Sequence, residues 1–239
     1  MGKLFEDRSL RNKTVIFKDR AEAGKRLAQS LPKFVSPGAL VLAIPAGGVP
    51  VAGEIARTLK LPLDLLIVRK IPIPGNTEAG FGAVGPDGEV IFNEGLLRGL
   101  RLTEETIRDQ VAATQKIVEA RNQLFRNGRP FPQVKGRTVI LVDDGLASGF
   151  TMMEAARSMR RREATKVIVA VPTAPEDSVN RLLSEVDEIY CLNVRTFFPF
   201  AVAEAYENWY DLTDQEVISL LRDMPLYSPA GEGISRQGN

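Results

Sequence analysis

A doubly wound α/β fold on a mainly parallel sheet is the architecture this sequence predicts. Three observations carry it. Short β-branched apolar runs suit strands buried on both faces, amphipathic segments alternate with them, and successive strands start about 20 to 25 residues apart. With 239 residues, 44% of them hydrophobic, the chain can bury one sizeable core. The expected layout is a single domain over 1–228, with its core at 19–192, a flexible β-hairpin arm at 71–93 and a small C-terminal hood at 195–228. A disordered polar tail over 229–239 follows.

Composition removes several chemistries. The chain has no histidine, which excludes Ser-His-Asp and Cys-His catalysis and imidazole metal ligands. The one cysteine, Cys191, permits no internal disulfide. A formal charge of +1 gives no reason to expect nucleic acid as a partner, and no long apolar stretch suggests a membrane. A cytoplasmic location is expected.

Taken in order, the mixed, charged segment Met1–Lys18 is expected to lie over the core's surface. Asp19 with Glu22 reads as a capping box, opening a helix whose Ala23, Leu27 and Leu31 share one face and which Pro32 ends. It looks like a core helix without chemistry. Ala39–Ile44 is a strand, Pro50–Leu59 a helix with Pro50 at its first position, and Leu63–Val68 the next strand. Together they form a β-α-β unit of about thirty residues with a right-handed crossover. Gly47 and Gly48 fall where the first strand turns into the helix, and Arg69 and Lys70 directly after the second strand. Both places lie at the carboxyl edge of the sheet, where such folds bind ligands.

Between Ile71 and Phe92 the chain is rich in Gly and Pro. Gly80, Gly82 and Gly85 spell G-x-G-x-x-G, but no buried strand leads in and no helix leads out, so a dinucleotide site is rejected. The turn Gly85–Gly88 instead joins Phe81–Val84 to Glu89–Phe92 as a hairpin. Thr103 caps a long helix with Glu104 and Glu105 in its first turn and Ile107, Val111 and Val118 inward.

The central stretch follows. Val139–Val142 is a buried strand ending in two carboxylates, Asp143 and Asp144. Gly145 and Gly149 allow a tight loop, and Thr151 with Glu154 has the spacing of a capping box that opens a helix. Loop amides backed by a helix N-terminus bind phosphate, and adjacent carboxylates accept hydrogen bonds from vicinal hydroxyls or hold a divalent metal. Arg160, Arg161 and Arg162 end that helix and read as structural. A strand at Lys166–Val171, a helix at Glu176–Val186 and a strand at Glu188–Leu192 complete the core. Beyond Arg195 the aromatics Phe197, Phe198, Phe200, Tyr206, Trp209 and Tyr210 crowd together before a short helix, Asp214–Leu221.

Residues 139–151, V-I-L-V-D-D-G-L-A-S-G-F-T, resemble the 5-phosphoribosyl-1-pyrophosphate (PRPP) signature of the type I phosphoribosyltransferases. More narrowly, they resemble an uncharacterised subgroup whose signature reads D-D-G-L-A-[ST]-G. The resemblance implies a type I phosphoribosyltransferase-like fold in which Asp143 and Asp144 hold the ribose hydroxyls. Gly145, Ala147, Ser148, Gly149, Phe150 and Thr151 would wrap the 5-phosphate. Gly47 and Gly48 resemble the diphosphate loop, although Ala46 stands where relatives often carry a cation, which leaves backbone amides as binders. Lys70, with Arg69, resembles the basic residue near the diphosphate. The arm resembles the loop that closes over substrate, and the hood the cover of the acceptor. Implied with these are Mg²⁺ held through the substrate, with Asp143 and Asp144 as further candidate ligands, a nitrogenous acceptor such as a nucleobase, and a homodimer. Ala46 also leaves open a non-catalytic PRPP- or nucleotide-sensing regulator of the same fold. A phosphotransfer receiver is disfavoured by the glycine-rich loop directly after the acid pair.

Overall fold

The structure, a computed structural model, describes residues 2–32 and 38–226. The expected tail at 229–239 and the last residues of the hood lie outside the described residues. The core is a six-stranded, wholly parallel sheet of β1 (Lys3–Glu6), β2 (Leu40–Ala43), β3 (Leu63–Leu65), β7 (Thr138–Val142), β8 (Lys166–Pro175) and β9 (Glu188–Arg195). Its spatial order is β1-β9-β8-β7-β2-β3. Strand alternation sends Val41, Ala43, Ile140 and Val142 to one face and Leu40, Leu42, Val139 and Leu141 to the other. Helices α1 (Arg20–Ser30) and α2 (Gly48–Leu59) cover the first face; α5 (Phe150–Arg161) and α6 (Glu176–Leu182) cover the second. The doubly wound architecture is therefore present. The chain leaves β2 toward one edge and β7 toward the other, so the switch point lies between these neighbours.

A second, antiparallel sheet forms the arm: β4 (Arg69–Ile73), β5 (Asn76–Val84) and β6 (Val90–Phe92). It has three strands where a two-stranded hairpin was expected, because Arg69–Ile73 pairs back onto β5. Ile71, Phe81, Ala83 and Val84 are fully buried, so the base of the arm belongs to the core. A helix that the sequence reading missed, α3 (Glu94–Leu100), follows it, capped by Asn93. Then comes the long α4 (Glu104–Arg126), capped by Thr103 as expected.

Two further expectations need correction. Residues 1–18 are not merely a surface cover, since Lys3–Glu6 adds an edge strand parallel to β9 and Phe5 stacks on Tyr190 at 4.6 Å. Four residues with charges at both ends give too little alternation to read as a strand. Helix α2 starts at Gly48, two residues before Pro50, which a first turn tolerates because its amides need no intrahelical partner. The last described helix is α7 (Asp214–Arg222), with a full capping box from Thr213 and Glu216.

Candidate ribose-phosphate site

The site grows from the carboxyl ends of β2 and β7. After Thr138 strand β7 is wholly apolar with apolar neighbours on both faces, so Asp143 and Asp144 fall just beyond the sheet edge. After them the chain turns through Gly145–Ser148 to Gly149, whose φ of 80° lies in the left-handed region and starts α5. No side chain caps this helix. The expected Thr151–Glu154 capping box is absent: the helix begins two residues earlier, with Gly149 at the cap position, and Glu154 is buried beside Arg161. Burial pushes the Glu154 carboxyl up, and the Arg161 guanidinium opposes that shift.

The loop's carbonyls are tied elsewhere. Ser178 Oγ donates to the Ala147 carbonyl at 2.6 Å and Arg181 to the Ser148 carbonyl at 3.0 Å, both from α6. An anion at the start of α5 therefore meets amide donors and the positive end of a twelve-residue helix.

A cavity of about 370 Å³ opens over this loop. Asp143, Gly145, Ala147, Ser148, Gly149, Phe150 and Thr151 line it on the core side and Lys70 on the arm side. Asn93 and Leu96, at the start of α3, and Val202, in a short 3-10 turn over Val202–Ala205, close it. Those three carried no signal, because each enters only through the packing of the arm and hood. Val202 lies so near Gly145 that a Cβ there would meet its Cγ1 at 2.5 Å.

Other expected site residues fall outside this cavity. Arg69 and Lys70 are neighbours on a strand and so face opposite ways. Lys70 reaches the cavity, whereas Arg69 is half-buried near Arg121 and Asp214, its pKa lowered by burial and by Arg121. The Gly48 amide donates to the Ile44 carbonyl at 3.1 Å and is committed within the loop. Gly47 serves by having no side chain: a Cβ there would lie 1.9 Å from Asp144 Oδ2. Gly47→Ala is thus expected to displace the Asp144 carboxylate, costing about 1–3 kcal/mol as overpacking does. Urea unfolding checks this.

The acid pair is electrostatically tense. Asp143 has its carboxyl pushed well up, first by burial and then by the neighbouring Asp144 charge. Burial also raises Asp144, but Arg20 opposes it, its Nε donating to Asp144 Oδ2 at 2.8 Å. The helix expected to lack chemistry therefore supplies the cation beside the acids. A faint signal existed, since an arginine directly after the cap sits at the helix end that disfavours cations. The hood aromatics divide. Tyr206 is buried with its hydroxyl donating to the Asp144 carbonyl at 2.6 Å, and Trp209 lies 5.2 Å from the Tyr206 ring. Phe197, Phe198 and Tyr210 are exposed. Among the described residues no cluster of three or more acidic or cysteine side chains could hold a metal alone, and no helix is long and apolar enough to cross a membrane.

The family model described as "Phosphoribosyl transferase domain" matches residues 23–208. Two Mycobacterium tuberculosis proteins, named "Putative phosphoribosyl transferase MT0597" and "Putative phosphoribosyl transferase Rv0571c", are each 41% identical over 207 residues, 86% of this chain and 46% of theirs. The chain spans about half the length of these curated relatives. The crystal structure of TT1426 from Thermus thermophilus superposes with a TM-score of 0.70 at 36% identity, over 87% of this chain and 98% of that one. A family model that spans most of the chain, with relatives 41% identical over 86% of it, leaves one assignment: this chain belongs to the phosphoribosyl transferase domain family.

Proposed function

We propose that this protein is a phosphoribosyltransferase that moves the 5-phosphoribosyl group of PRPP to a nitrogenous acceptor and releases diphosphate. The observation that carries the reading is the convergence of the Asp143 carboxylate, the uncapped start of α5 and Lys70 around one cavity at the β2/β7 switch point.

In this reading the amides of Ala147–Thr151 bind the 5-phosphate, and the acid pair accepts hydrogen bonds from the ribose hydroxyls. The C1–O bond to diphosphate breaks, the C1–N bond to the acceptor forms, and the acceptor's proton leaves to solvent. Lys70, on the arm, meets negative charge gathering on the diphosphate. Because the arm's base is buried, closure over the substrate belongs to its tip, residues 73–80. The part of the hood that holds Val202 closes the cavity's opposite wall. Mg²⁺ fits the donor set: one or two carboxylates can share it with substrate phosphates, the usual division for this ion. When bound, it would neutralise charge on the diphosphate oxygens. Positioning and exclusion of water are the chain's own contribution, for which no histidine is needed.

The decisive experiment measures Mg²⁺-dependent diphosphate release from PRPP against a panel of nucleobases and amines. Release that requires one acceptor establishes the transferase and names its substrate class. Calorimetric PRPP binding without release from any acceptor would assign a sensor of the same fold, and no binding would overturn the reading.

A further inference from the structure

We propose that Asp87, Arg161 and Glu154 form an anchor that fixes the root of the arm on α5, so that this helix sets the span between the 5-phosphate at its start and Lys70 on the arm. The inference rests on the transferase reading and deepens it: the three are positioning residues, and Lys70 is the cation they place.

The turn Gly85–Gly88 joins β5 to β6. The Gly85 amide donates to the Glu89 carbonyl at 2.8 Å and the Gly88 amide to the Gly85 carbonyl at 3.1 Å, which closes it. Asp87, within this turn, meets α5. Arg161 Nη2 lies 3.1 Å from its Oδ2, and Ser158 Oγ donates to the same oxygen at 3.3 Å. Arg161 Nη2 also donates to Oε1 of Glu154, which is 0% exposed. An ion pair at a surface turn holds little by itself, but a guanidinium that swung away here would strand a buried carboxylate. Arg161 is thereby held in place, and Asp87 docks on a fixed cation. Glu154 also fills the space over Gly85, where a Cβ would lie 2.5 Å from its Oε1. From the other side, Gln115 of α4 donates to the Gly88 carbonyl at 2.9 Å. The turn is gripped between two helices.

Strand register carries this grip to the cavity. Val84, directly before the turn, pairs with Arg69, and Ala83 with Lys70. Lys70 therefore sits in the second pair below the anchored turn, whereas the tip at 73–80 lies beyond it. Glu154 stands one turn into the helix whose first residue, Phe150, lines the cavity. Phosphate loop and Lys70 are accordingly tied to one rigid rod. PRPP carries its 5-phosphate and its diphosphate at opposite ends of the ribose, so a fixed span favours the ligand that bears both.

The test is calorimetric binding of two ligands in Mg²⁺: PRPP, and ribose 5-phosphate, which lacks the diphosphate that Lys70 meets. Lys70→Met is expected to weaken PRPP about tenfold, the loss of one charge-assisted contact, and to leave ribose 5-phosphate unchanged. Asp87→Ala frees the turn while Glu154 keeps Arg161. It should weaken PRPP about fivefold and likewise spare ribose 5-phosphate. Asp87→Asn, which keeps an oxygen for Arg161, should recover part of that loss. The double variant Lys70→Met/Asp87→Ala should bind PRPP no worse than Lys70→Met alone, because the anchor acts only through Lys70. Equal weakening of both ligands by Asp87→Ala, additive losses in the double variant, or no loss of PRPP affinity in either single variant would overturn the proposal. The cycle decides alone where ribose 5-phosphate binds too weakly to measure. Should Asp87→Ala fail to fold, the paired change Glu154→Gln/Arg161→Gln, which leaves no buried charge without its partner, takes its place with the same outcomes. Absence of PRPP binding by the wild-type protein would instead overturn the transferase reading itself, before any variant is compared.

Discussion

Asp143→Asn is expected to make the ligand-free protein more stable while it removes tight PRPP binding. Asp143 is an acid whose folded pKa lies above its unfolded one because burial and Asp144 disfavour its charge. Between those two values the native state holds more protons than the unfolded chain. Stability from this group is therefore complete below the ordinary carboxylate pKa and is lost as pH rises through the raised value. Above the ordinary carboxylate pKa its ionisation therefore opposes folding, as groups kept for function often do. Asparagine removes that charge and keeps an oxygen to accept the Asp144 amide. The expected gain is about 0.5–2 kcal/mol, which for a chain of this size moves the melting temperature by a few degrees. Thermal melts from pH 4 to 8 should show the variant's advantage over wild type growing as pH rises. A variant that melts lower than wild type at pH 7.5 would mean that Asp143 has a structural role that outweighs its charge.

Arg126→Met is expected to be the most destabilising single change away from the site. Arg126 ends α4 and reaches the sheet's edge strand, where its Nη1 lies 3.1 Å from Asp64 Oδ1 and its other terminal nitrogen donates to the Leu65 carbonyl. Phe131 packs against the same guanidinium, 4.9 Å from its ring centroid. Asp64 is 1% exposed, so losing its partner leaves a carboxylate with no route to water. Breaking such a buried pair from one side costs about 3–5 kcal/mol. Replacing both members, Arg126→Met with Asp64→Leu, should recover most of the loss, because the penalty comes from the orphaned charge. Equilibrium urea unfolding of the two singles and the double measures it. A loss below about 1 kcal/mol for Arg126→Met would show that water reaches Asp64 and that α4 is held by its apolar face alone. The long helix matters because its Val118 and Phe125 help bury the base of the arm that carries Lys70.

The sequence by itself determined the layered α/β architecture, since strands buried on both faces must be continuous apolar runs and the helices between them carry one apolar stripe each. It also determined that Asp143 and the loop to Gly149 stand at a strand's end before a helix, because such a loop is local: thirteen neighbouring positions encode the strand end, the loop and the helix start together. Tertiary structure alone decided what meets that loop. Strand pairing across the chain set β2 beside β7 and so brought Gly47 against Asp144. It turned Lys70 toward the cavity and Arg69 away, a choice made by the register of the arm. It placed Arg20 from the first helix and Trp209 from the hood at one carboxylate, 124 residues separating Arg20 from Asp144. No periodicity records such a contact, because a buried ion pair depends on which faces pack together, and that is fixed only when the whole core closes.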